Sequence, residues 1–339
     1  MTANRRWTLA NRPEGKIAVG DFALLDADEV ERELAAGEVL VSNRLFAVAP
    51  TIRNWLKPPS GAYRASIPLG GTVRGMAACE VLISSDEAFP VGARMIAMSE
   101  WADRSVIRPH MAPVPVFRVP PEMDFARAMG PLSLNSLTAY FGLLDVGRPV
   151  AGETVLVSGA AGSVGSVACQ IARIHGCRVI GIAGGAEKCV RLVEELGVDA
   201  AIDYHGDNLS QRLAELCPGG IDLFFDNVGG RQLRAALEHM ASHGRIVLCG
   251  QIATYDGSEP SANPLDLMKV VYGRVRMEGF VVGDYVARAD EARRKLAEWL
   301  ENGRLRVAVD LREGFEQLPA AFVDLFRGAN RGTVLVANS

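Results

Sequence analysis

The sequence predicts an α/β protein: a doubly wound parallel sheet in its second half and a β-barrel-like domain in its first. Three observations predict it. From Thr154 to Val282, short β-branched runs alternate with apolar-periodic helices, the rhythm of a parallel sheet covered on both faces. At the head of that rhythm, Val155-Leu-Val-Ser-Gly-Ala-Ala-Gly-Ser-Val-Gly-Ser-Val-Ala168 joins a strand to a helix through a turn of small residues. Residues 1 to about 125 instead hold strand-like runs separated by Gly, Pro and charged turns.

At 339 residues the chain has room for two domains of about 100–200 residues each. We place the first at 1–125, completed by 304–339, and the second at 126–303. The first reads as mostly β, with runs at Glu38–Ser42, Gly71–Arg74, Cys79–Ser84 and Arg94–Met98. Prolines crowd from Pro109 to Pro121, which blocks helix and predicts an extended connection. Helices follow at Phe125–Met129 and Leu137–Leu144, broken by Gly130-Pro131 and Gly147-Arg-Pro149.

The alternation then runs as strand Thr154–Ser158, helix Ser163–His175, strand Arg178–Ala183, helix Glu187–Leu196, strand Ala200–Asp203 and helix Leu209–Cys217. Ile221–Asn227 is nearly all apolar, as a parallel strand buried on both faces should be. Helix Arg231–Met240, strand Gly244–Gln251, helix Pro264–Tyr272 and strand Val275–Val282 close the sheet. Asp290–Asn302 is an amphipathic helix with Ala292, Leu296, Trp299 and Leu300 on one face. The tail turns β again at Arg306–Leu311 and Thr333–Val336, around a helix Leu318–Phe326. Its strands do not follow the α/β rhythm, so we expect it to return to the first domain.

Ala160-x-Gly162-x-x-Gly165 has the G-x-G-x-x-G spacing with alanine in the first slot. Between a strand and a helix, and with a second strand after the helix, it reads as a seat for a dinucleotide pyrophosphate. The turn lets backbone N–H groups approach, and the positive end of the helix faces the anion. The second strand ends Ala183-Gly-Gly-Ala-Glu-Lys188, with no acid at the strand end and a lysine in the next helix's first turn. An acid there would take a ribose 2′-hydroxyl, whereas small residues with a cation admit a 2′-phosphate. The pattern favours NADP(H), with Glu187 as a ribose acceptor in another register.

The bulk composition excludes other classes. Lys and Arg number 36 against 40 acids and are spread along the chain, which argues against nucleic acid or an anionic membrane as partner. No apolar run is long enough to span a bilayer, and Met1-Thr-Ala-Asn-Arg-Arg-Trp7 has no apolar stretch behind its arginines; a cytoplasmic protein is expected. Six scattered cysteines read as buried hydrophobes in a reducing compartment, and five histidines lack ligand spacing, so no metal is expected.

The chain resembles the zinc-independent medium-chain dehydrogenase/reductases. Within them it is similar to the branch of prostaglandin reductase (leukotriene B4 12-hydroxydehydrogenase), alkenal double-bond reductases and bacterial curcumin-reductase-like enzymes. The strings that carry the resemblance are Leu137-Thr-Ala-Tyr-Phe-Gly-Leu-Leu144, Ala160-Ala-Gly-Ser-Val-Gly-Ser166 and Ala183-Gly-Gly-Ala-Glu-Lys188. Phe225-Asp-Asn-Val-Gly-Gly230, Glu278-Gly-Phe-Val-Val282 and Gly328-Ala-Asn-Arg-Gly332 follow in order. The resemblance implies a GroES-like first domain, a Rossmann second domain, NADPH in the cleft between them, and a homodimer paired edge to edge through Val275–Val282. It implies reduction of the C=C bond of α,β-unsaturated aldehydes or ketones, by hydride delivery to the β-carbon and protonation of the α-carbon.

Carried over by position, Gly162, Ser163, Val164 and Gly165 hold the pyrophosphate, and Lys188 and Tyr204 meet the 2′-phosphate. Asn227 with Cys249, Gly250, Ile252, Thr254 and Tyr255 lines the rest of the dinucleotide. Phe280, Val281 and Val282 flank the nicotinamide, and Asn330 reaches the cofactor from the tail. Tyr255 is the candidate catalytic residue, either a donor to the developing enolate oxygen or a contact to the nicotinamide ribose.

The chain also departs from the family. The turn Asp-Pro-x-Met-Arg-Gly is Ala49-Pro-Thr-Ile-Arg-Asn54 here, and Gly-Met-Pro-Gly has become Leu132-Ser-Leu-Asn-Ser136. Asn135, with Ser133 and Ser136, serves either to bond a substrate oxygen or to cap a helix. A quinone reductase of the same superfamily is the competing reading among enzymes, and a non-catalytic NADPH-binding relative is the reading outside them. A zinc alcohol dehydrogenase is disfavoured, because Leu69-Gly-Gly-Thr-Val-Arg74 stands where that branch has Gly-His-Glu.

Overall fold

The structure, a computed structural model, describes residues 4–27, 33–58, 66–112, 114–255 and 265–338. The chain forms two compact units, Met1–Gly130 with Val309–Ser339, and Pro131–Ala308.

The first unit opens with a hairpin absent from the sequence reading, β1 (Asn4–Leu9) antiparallel to β2 (Phe22–Ala27). Strand β3 (Val39–Val48), the short helix α1 (Ile52–Trp55), β4 (Arg74–Ser84), β5 (Arg94–Glu100), β6 (Arg104–Ile107) and β7 (Phe117–Arg118) follow. Helix α2 (Phe125–Met129) ends at Gly130, and the side chain of Asp124 accepts from Arg127 N–H at its start. The runs expected at Gly71–Arg74 and Cys79–Ser84 are the two ends of one strand zone, joined by Met76-Ala-Ala78. Small residues lowered its β signal, but they let the strand be covered on both sides. Ala77, Cys79 and Val81 enter one apolar core and Ala78 the other.

The second unit starts with α3 (Leu134–Phe141), which continues through a wider helical turn over Gly142–Gly147. It begins three residues before the expected Leu137, because Leu137 N–H donates to Ser133 O and closes the first turn there. Then come β8 (Thr154–Val157), α4 (Ser163–Ile174), β9 (Arg178–Ala183), α5 (Ala186–Glu194), β10 (Ala200–Asp203), α6 (Leu209–Leu216), β11 (Ile221–Asp226) and α7 (Gly230–Glu238). After them lie β12 (Met240–Leu248), α8 (Leu267–Gly273), β13 (Arg276–Gly279) and α9 (Ala289–Glu301). The six strands are parallel throughout, in the order β10-β9-β8-β11-β12-β13. This is the Rossmann order, and the chain changes direction across the sheet between β8 and β11, where such sheets open a binding crevice at their carboxyl ends.

Other boundaries also differ from the sequence reading. β12 starts at Met240 rather than Gly244, pairing Met240 with Ile221 before a register shift. The polar Ser242-His243-Gly244 hides that pairing from an apolar pattern. β13 stops at Gly279, and Val282–Arg288 winds into a 3₁₀ helix, so the strand expected over Val275–Val282 is half as long. The helix expected from Pro264, which lies outside the described residues, starts at Leu267, because Asp266 caps it and its Oδ1 accepts from Met268 N–H at 3.0 Å.

The tail supplies β14 (Val309–Glu313), α10 (Leu318–Arg327) and β15 (Thr333–Ala337) to the first unit. β15 lies antiparallel to β3 and parallel to β14, extending the sheet to β14-β15-β3-β4-β5-β7, with β6 also paired to β3. The expected strand Arg306–Leu311 begins later, because Arg306 N–H and C=O are both taken by the Gln170 amide of α4. Phe22, Trp101 and Phe322 meet at ring distances of 5.9–6.1 Å in the core between hairpin, sheet and α10.

Candidate functional site

The turn after β8 is held by contacts that only glycine permits. A Cβ at Gly165 would lie 2.2 Å from Gly159 O and 2.9 Å from Ala160 Cα, so the first turn of α4 rests directly on the backbone of the preceding loop. Gly159 adopts φ +56°, the left-handed region. Ala160 fits the first slot because it is fully buried, its N–H bonds Ile182 O at 2.9 Å, and its methyl fills the space over Gly181. Gly162 is the N-cap of α4, in extended backbone, and the helical ladder begins with Ser166 N–H donating to Gly162 O. The N–H groups of that first turn therefore point out of the helix end, where an anion would sit.

Two further loops close beside this turn at the carboxyl ends of β11 and β12. Asp226, 1 % exposed, accepts from Ser158 Oγ at 2.7 Å and from the N–H groups of Val228 and Gly229 at 3.0 Å. Burial raises its pKa, while those donors pull it down. Asn227 in turn donates from Nδ2 to Ser158 O at 2.7 Å and from its backbone to Ser158 Oγ at 2.8 Å. The ends of β8 and β11 are thus stitched together by two side chains that the motif reading passed over, Ser158 and Asp226.

The segment 249–255 runs along this loop: Cys249 and Gly250 N–H bond Asp226 O, Ile252 N–H bonds Asn227 O, and Ala253 N–H bonds Val228 O. A Cβ at Gly250 would stand 3.0 Å from Asn227 O. Cys249, Gly250, Ile252, Thr254, Tyr255 and Asn227 are therefore brought together. The Cys249 thiol is pushed up to about 12 by burial and by the nearby Asp226 carboxyl, which keeps it protonated and inert at neutral pH. Tyr255 follows the 3₁₀ turn Ile252–Thr254, half-buried, and its hydroxyl has no hydrogen bond among the described residues.

At the end of β13, Phe280 leaves the strand line and lays its ring against α3's extension. A Cβ at Gly142 would come 2.4 Å from Phe280 Cζ, so a glycine there is what admits the ring. Tyr285 meets Phe280 edge-on at 6.3 Å and stacks on Phe141 at 4.8 Å, while Arg288 pairs with Asp145 at 2.6 Å. These contacts fix the segment that carries Val281, 40 % exposed, and Val282.

On the other side of the turn, β9 ends at Ala183 and Gly184–Gly185 leads into α5. Asp203, at the end of β10, is the acid nearest this loop in the sheet, and its Oδ1 is already committed to Gly185 N–H at 2.8 Å and His205 N–H at 3.0 Å. Those two N–H groups hold its pKa below the usual carboxylate value. Lys188 is half-buried in the first turn of α5 and makes no hydrogen bond or ion pair among the described residues. Burial and the neighbouring Arg191 lower its pKa. Tyr204 leans over Gly184, whose added Cβ would lie 3.0 Å from its ring, and the Arg231 guanidinium sits over that ring at 5.3 Å. Arg231, bonded to Tyr204 O at 3.3 Å, is a second cation that the sequence reading missed; it opens α7 right after Gly229-Gly230.

Asn135 is the second residue of α3, past the cap position, which is held by Ser133. Its Nδ2 donates to Ser163 Oγ of α4 at 2.9 Å, and the buried Ser133 hydroxyl makes no bond among the described residues. Asn330 lies in the other unit, after α10, with its Nδ2 donating to Gly332 O at 3.0 Å.

A family model described as "Zinc-binding dehydrogenase" matches residues 163–302, and one described as "N-terminal domain of oxidoreductase" matches residues 5–114. The NADPH-dependent curcumin reductase of Escherichia coli is 33 % identical over 98 % of this chain and 96 % of its own length. The chain is a medium-chain dehydrogenase/reductase. It belongs to the branch of prostaglandin, curcumin and alkenal reductases and is an NAD(P)H-dependent oxidoreductase of that branch, with a GroES-like N-terminal domain. A 2-alkenal reductase (NADP(+)-dependent) of Nicotiana tabacum is 34 % identical over 89 % of this chain and 87 % of its own. The crystal structure of CurA from Vibrio vulnificus in complex with NADPH superposes with a TM-score of 0.90 at 32 % identity, covering 99 % of both chains.

Among the described residues, no three His, Cys, Asp or Glu side chains are grouped so as to hold a metal in this dehydrogenase/reductase. All six cysteines are free, with Cys79, Cys169, Cys177 and Cys217 buried. No helix among the described residues is long and apolar enough to cross a membrane.

Proposed function

We propose that the protein is an NADPH-dependent reductase of the C=C bond of α,β-unsaturated aldehydes and ketones, acting in the cytosol. The observation that carries the reading is the gathering, at the carboxyl ends of one parallel sheet, of a glycine-held helix N-terminus, a half-buried Lys188 without an ion pair among the described residues, and the Tyr255 loop. The relatives named for NADPH-dependent reduction of curcumin and of 2-alkenals support the choice of reaction.

In this reading the first turn of α4 (Ser163, Val164, Gly165, after Gly162) holds the pyrophosphate through backbone N–H groups. Lys188 and Tyr204, with Arg231 over the Tyr204 ring, take the 2′-phosphate. A lysine at a helix N-terminus opposes the helix dipole and is stabilised when a dianion lies between them. Asn227 and 249–255 line the ribose and nicotinamide, and Phe280–Val282 backs the ring. When bound, the nicotinamide supplies a hydride to the β-carbon of the substrate. Tyr255 donates a hydrogen bond to the substrate oxygen as negative charge develops there, which requires no ionised side chain.

The protein works as a homodimer in this reading. β13 is an unpaired edge of the six-stranded sheet, and Leu267, Val271 and Tyr272 of the adjoining α8 are 58–72 % exposed. Light scattering should return twice the chain mass. The test of the reaction is a panel of 2-alkenals, enones and quinones offered with NADPH and with NADH, with mass analysis of products. Saturated carbonyls formed with NADPH are expected. Quinone reduction without enone reduction would give the site to the sister activity, and dinucleotide binding without turnover would make it a non-catalytic relative.

A further inference from the structure

A cleft of about 430 Å³ opens on the second unit, bounded by α3 with its extension, the residue that ends α4, and α9. That lies within the range of about 300–1,000 Å³ that small-molecule sites occupy. Its floor is aromatic: Trp299, 3 % exposed, meets Tyr140 at 6.0 Å and His175 edge-on at 6.3 Å, and Leu144 adds an aliphatic wall. The dinucleotide seat is elsewhere. His175 closes the end of α4 opposite to Gly162–Gly165, and a helix of 12 residues is about 18 Å long. Three polar groups in the lining make no hydrogen bond or ion pair among the described residues: the Tyr140 hydroxyl, the His175 imidazole and the Arg294 guanidinium. Tyr140 is 8 % exposed, and a phenol so buried usually has a partner. The other charges are committed, Lys295 to Glu298 at 2.8 Å and Glu291 to Arg288 at 3.5 Å, so one cation is left over. Burial first, then the charges of Arg304 and Lys295, lower the pKa of His175. Its ring is therefore neutral at pH 7, with one N–H to donate.

We infer that this cleft binds a small aromatic carboxylate, with its ring on the Tyr140–Trp299 floor and its anion held by Arg294 and the Tyr140 hydroxyl. An aromatic body suits a floor of tilted rings, which favour offset or edge contacts. A carboxylate suits a guanidinium, which can bond both of its oxygens at once. A cationic ligand would find both glutamates of the lining already paired. The site does not depend on the reaction proposed above, because its ligand binds with or without dinucleotide.

Calorimetric titration of the full chain with 2-naphthoate tests the site, with 2-naphthalenemethanol and 2-naphthylmethylammonium as neutral and cationic counterparts. One naphthoate per chain is expected, with a dissociation constant of about 0.1 mM that NADPH at saturation leaves unchanged. Arg294→Ala lies on the exposed face of α9 and should leave melting unchanged while weakening naphthoate about tenfold. Arg294→Lys should recover part of that loss, since it restores the charge without the fork. Tyr140→Phe removes only the hydroxyl and should weaken naphthoate about fivefold, the scale of one lost hydrogen bond. The neutral alcohol should bind at least about tenfold more weakly than naphthoate and be indifferent to Arg294→Ala. Four results would overturn the site as described: no saturable binding of naphthoate, wild-type affinity in both R294A and Y140F, tighter binding of the ammonium than of the carboxylate, or displacement of naphthoate by NADPH. Each leaves the proposed reaction standing, and a protein that binds naphthoate but reduces no enone would overturn the reaction alone.

Discussion

Gly165 offers the most demanding test of how the cofactor seat is built. Replacing it by alanine puts a methyl 2.2 Å from Gly159 O, 2.8 Å from Gly159 C and 2.9 Å from Ala160 Cα. All three are backbone atoms, so no side chain can swing aside. To reach even the 3.0 Å that real contacts respect, α4 must lift from the turn by about 0.8 Å, the kind of forced shift that costs about 1–3 kcal/mol. For a unit of this size that lowers the melting temperature by roughly 2–12 °C. The same displacement moves the helix-start N–H groups away from the anion they serve, and NADPH should bind at least about tenfold more weakly. Gly162→Ala is the control: its methyl would meet Gly159 O at 3.2 Å in backbone that any residue adopts, and it should cost less than about 1 kcal/mol. Differential scanning fluorimetry and calorimetric titration with NADPH read both variants. G165A with wild-type melting and affinity would refute the close packing of turn and helix.

Other expectations follow from the same geometry. Lys188→Ala should raise the NADPH dissociation constant about ten- to a hundredfold and leave NADH within about twofold, as for loss of one charge-assisted contact to phosphate; an equal effect on both would remove Lys188 from the 2′-phosphate. Tyr255→Phe should cut enone turnover about ten- to a hundredfold while NADPH affinity holds, and unchanged single-turnover rates would leave the hydroxyl no part in the chemistry. Glu153 joins β8 to β12 through a paired contact with Arg245 at 2.9 and 2.5 Å. Burial raises its pKa, but the Arg245 bonds and Val150 N–H outweigh this and hold it below the usual value. Its stabilisation is therefore present above about pH 4.3 and lost as pH falls through the lower folded-state value. Glu153→Gln should cost roughly 1 kcal/mol at pH 7, and the gap from wild type should close in acid, as followed by urea melts.

Much of the second unit was legible because its elements are locally encoded. β9 and β10 match the sequence reading to the residue, since each is an apolar run whose ends are marked by Gly or charged residues. The turn 159–165 was legible for the same reason, strand, glycines and helix being contiguous. What was not legible depends on partners far away in the chain. The Ser158–Asp226 bond spans 68 residues, and Asp226 looked like one letter of a motif until its three donors were placed around it. Asn135 read as a cap because caps are local, whereas its partner lies on another helix. The β1–β2 hairpin escaped because Arg5, Arg6 and Asp26 interrupt its apolar pattern, although Trp7 and Phe22 anchor it in the core. The early end of β13 is set by the ring of Phe280 against Gly142, a long-range packing event invisible in the apolar run Phe280-Val-Val282.

In the proposed function, the crevice at the sheet's carboxyl ends directs hydride to a carbon–carbon double bond. The most direct measurement uses NADPH deuterated at both C4 positions with a simple enone, and locates the label in the product by mass spectrometry and NMR. One deuterium is expected at the β-carbon of a saturated ketone, with the α-carbon proton drawn from solvent. Deuterium on the carbonyl carbon of an allylic alcohol, or NADPH oxidised with no label in the product, would contradict it.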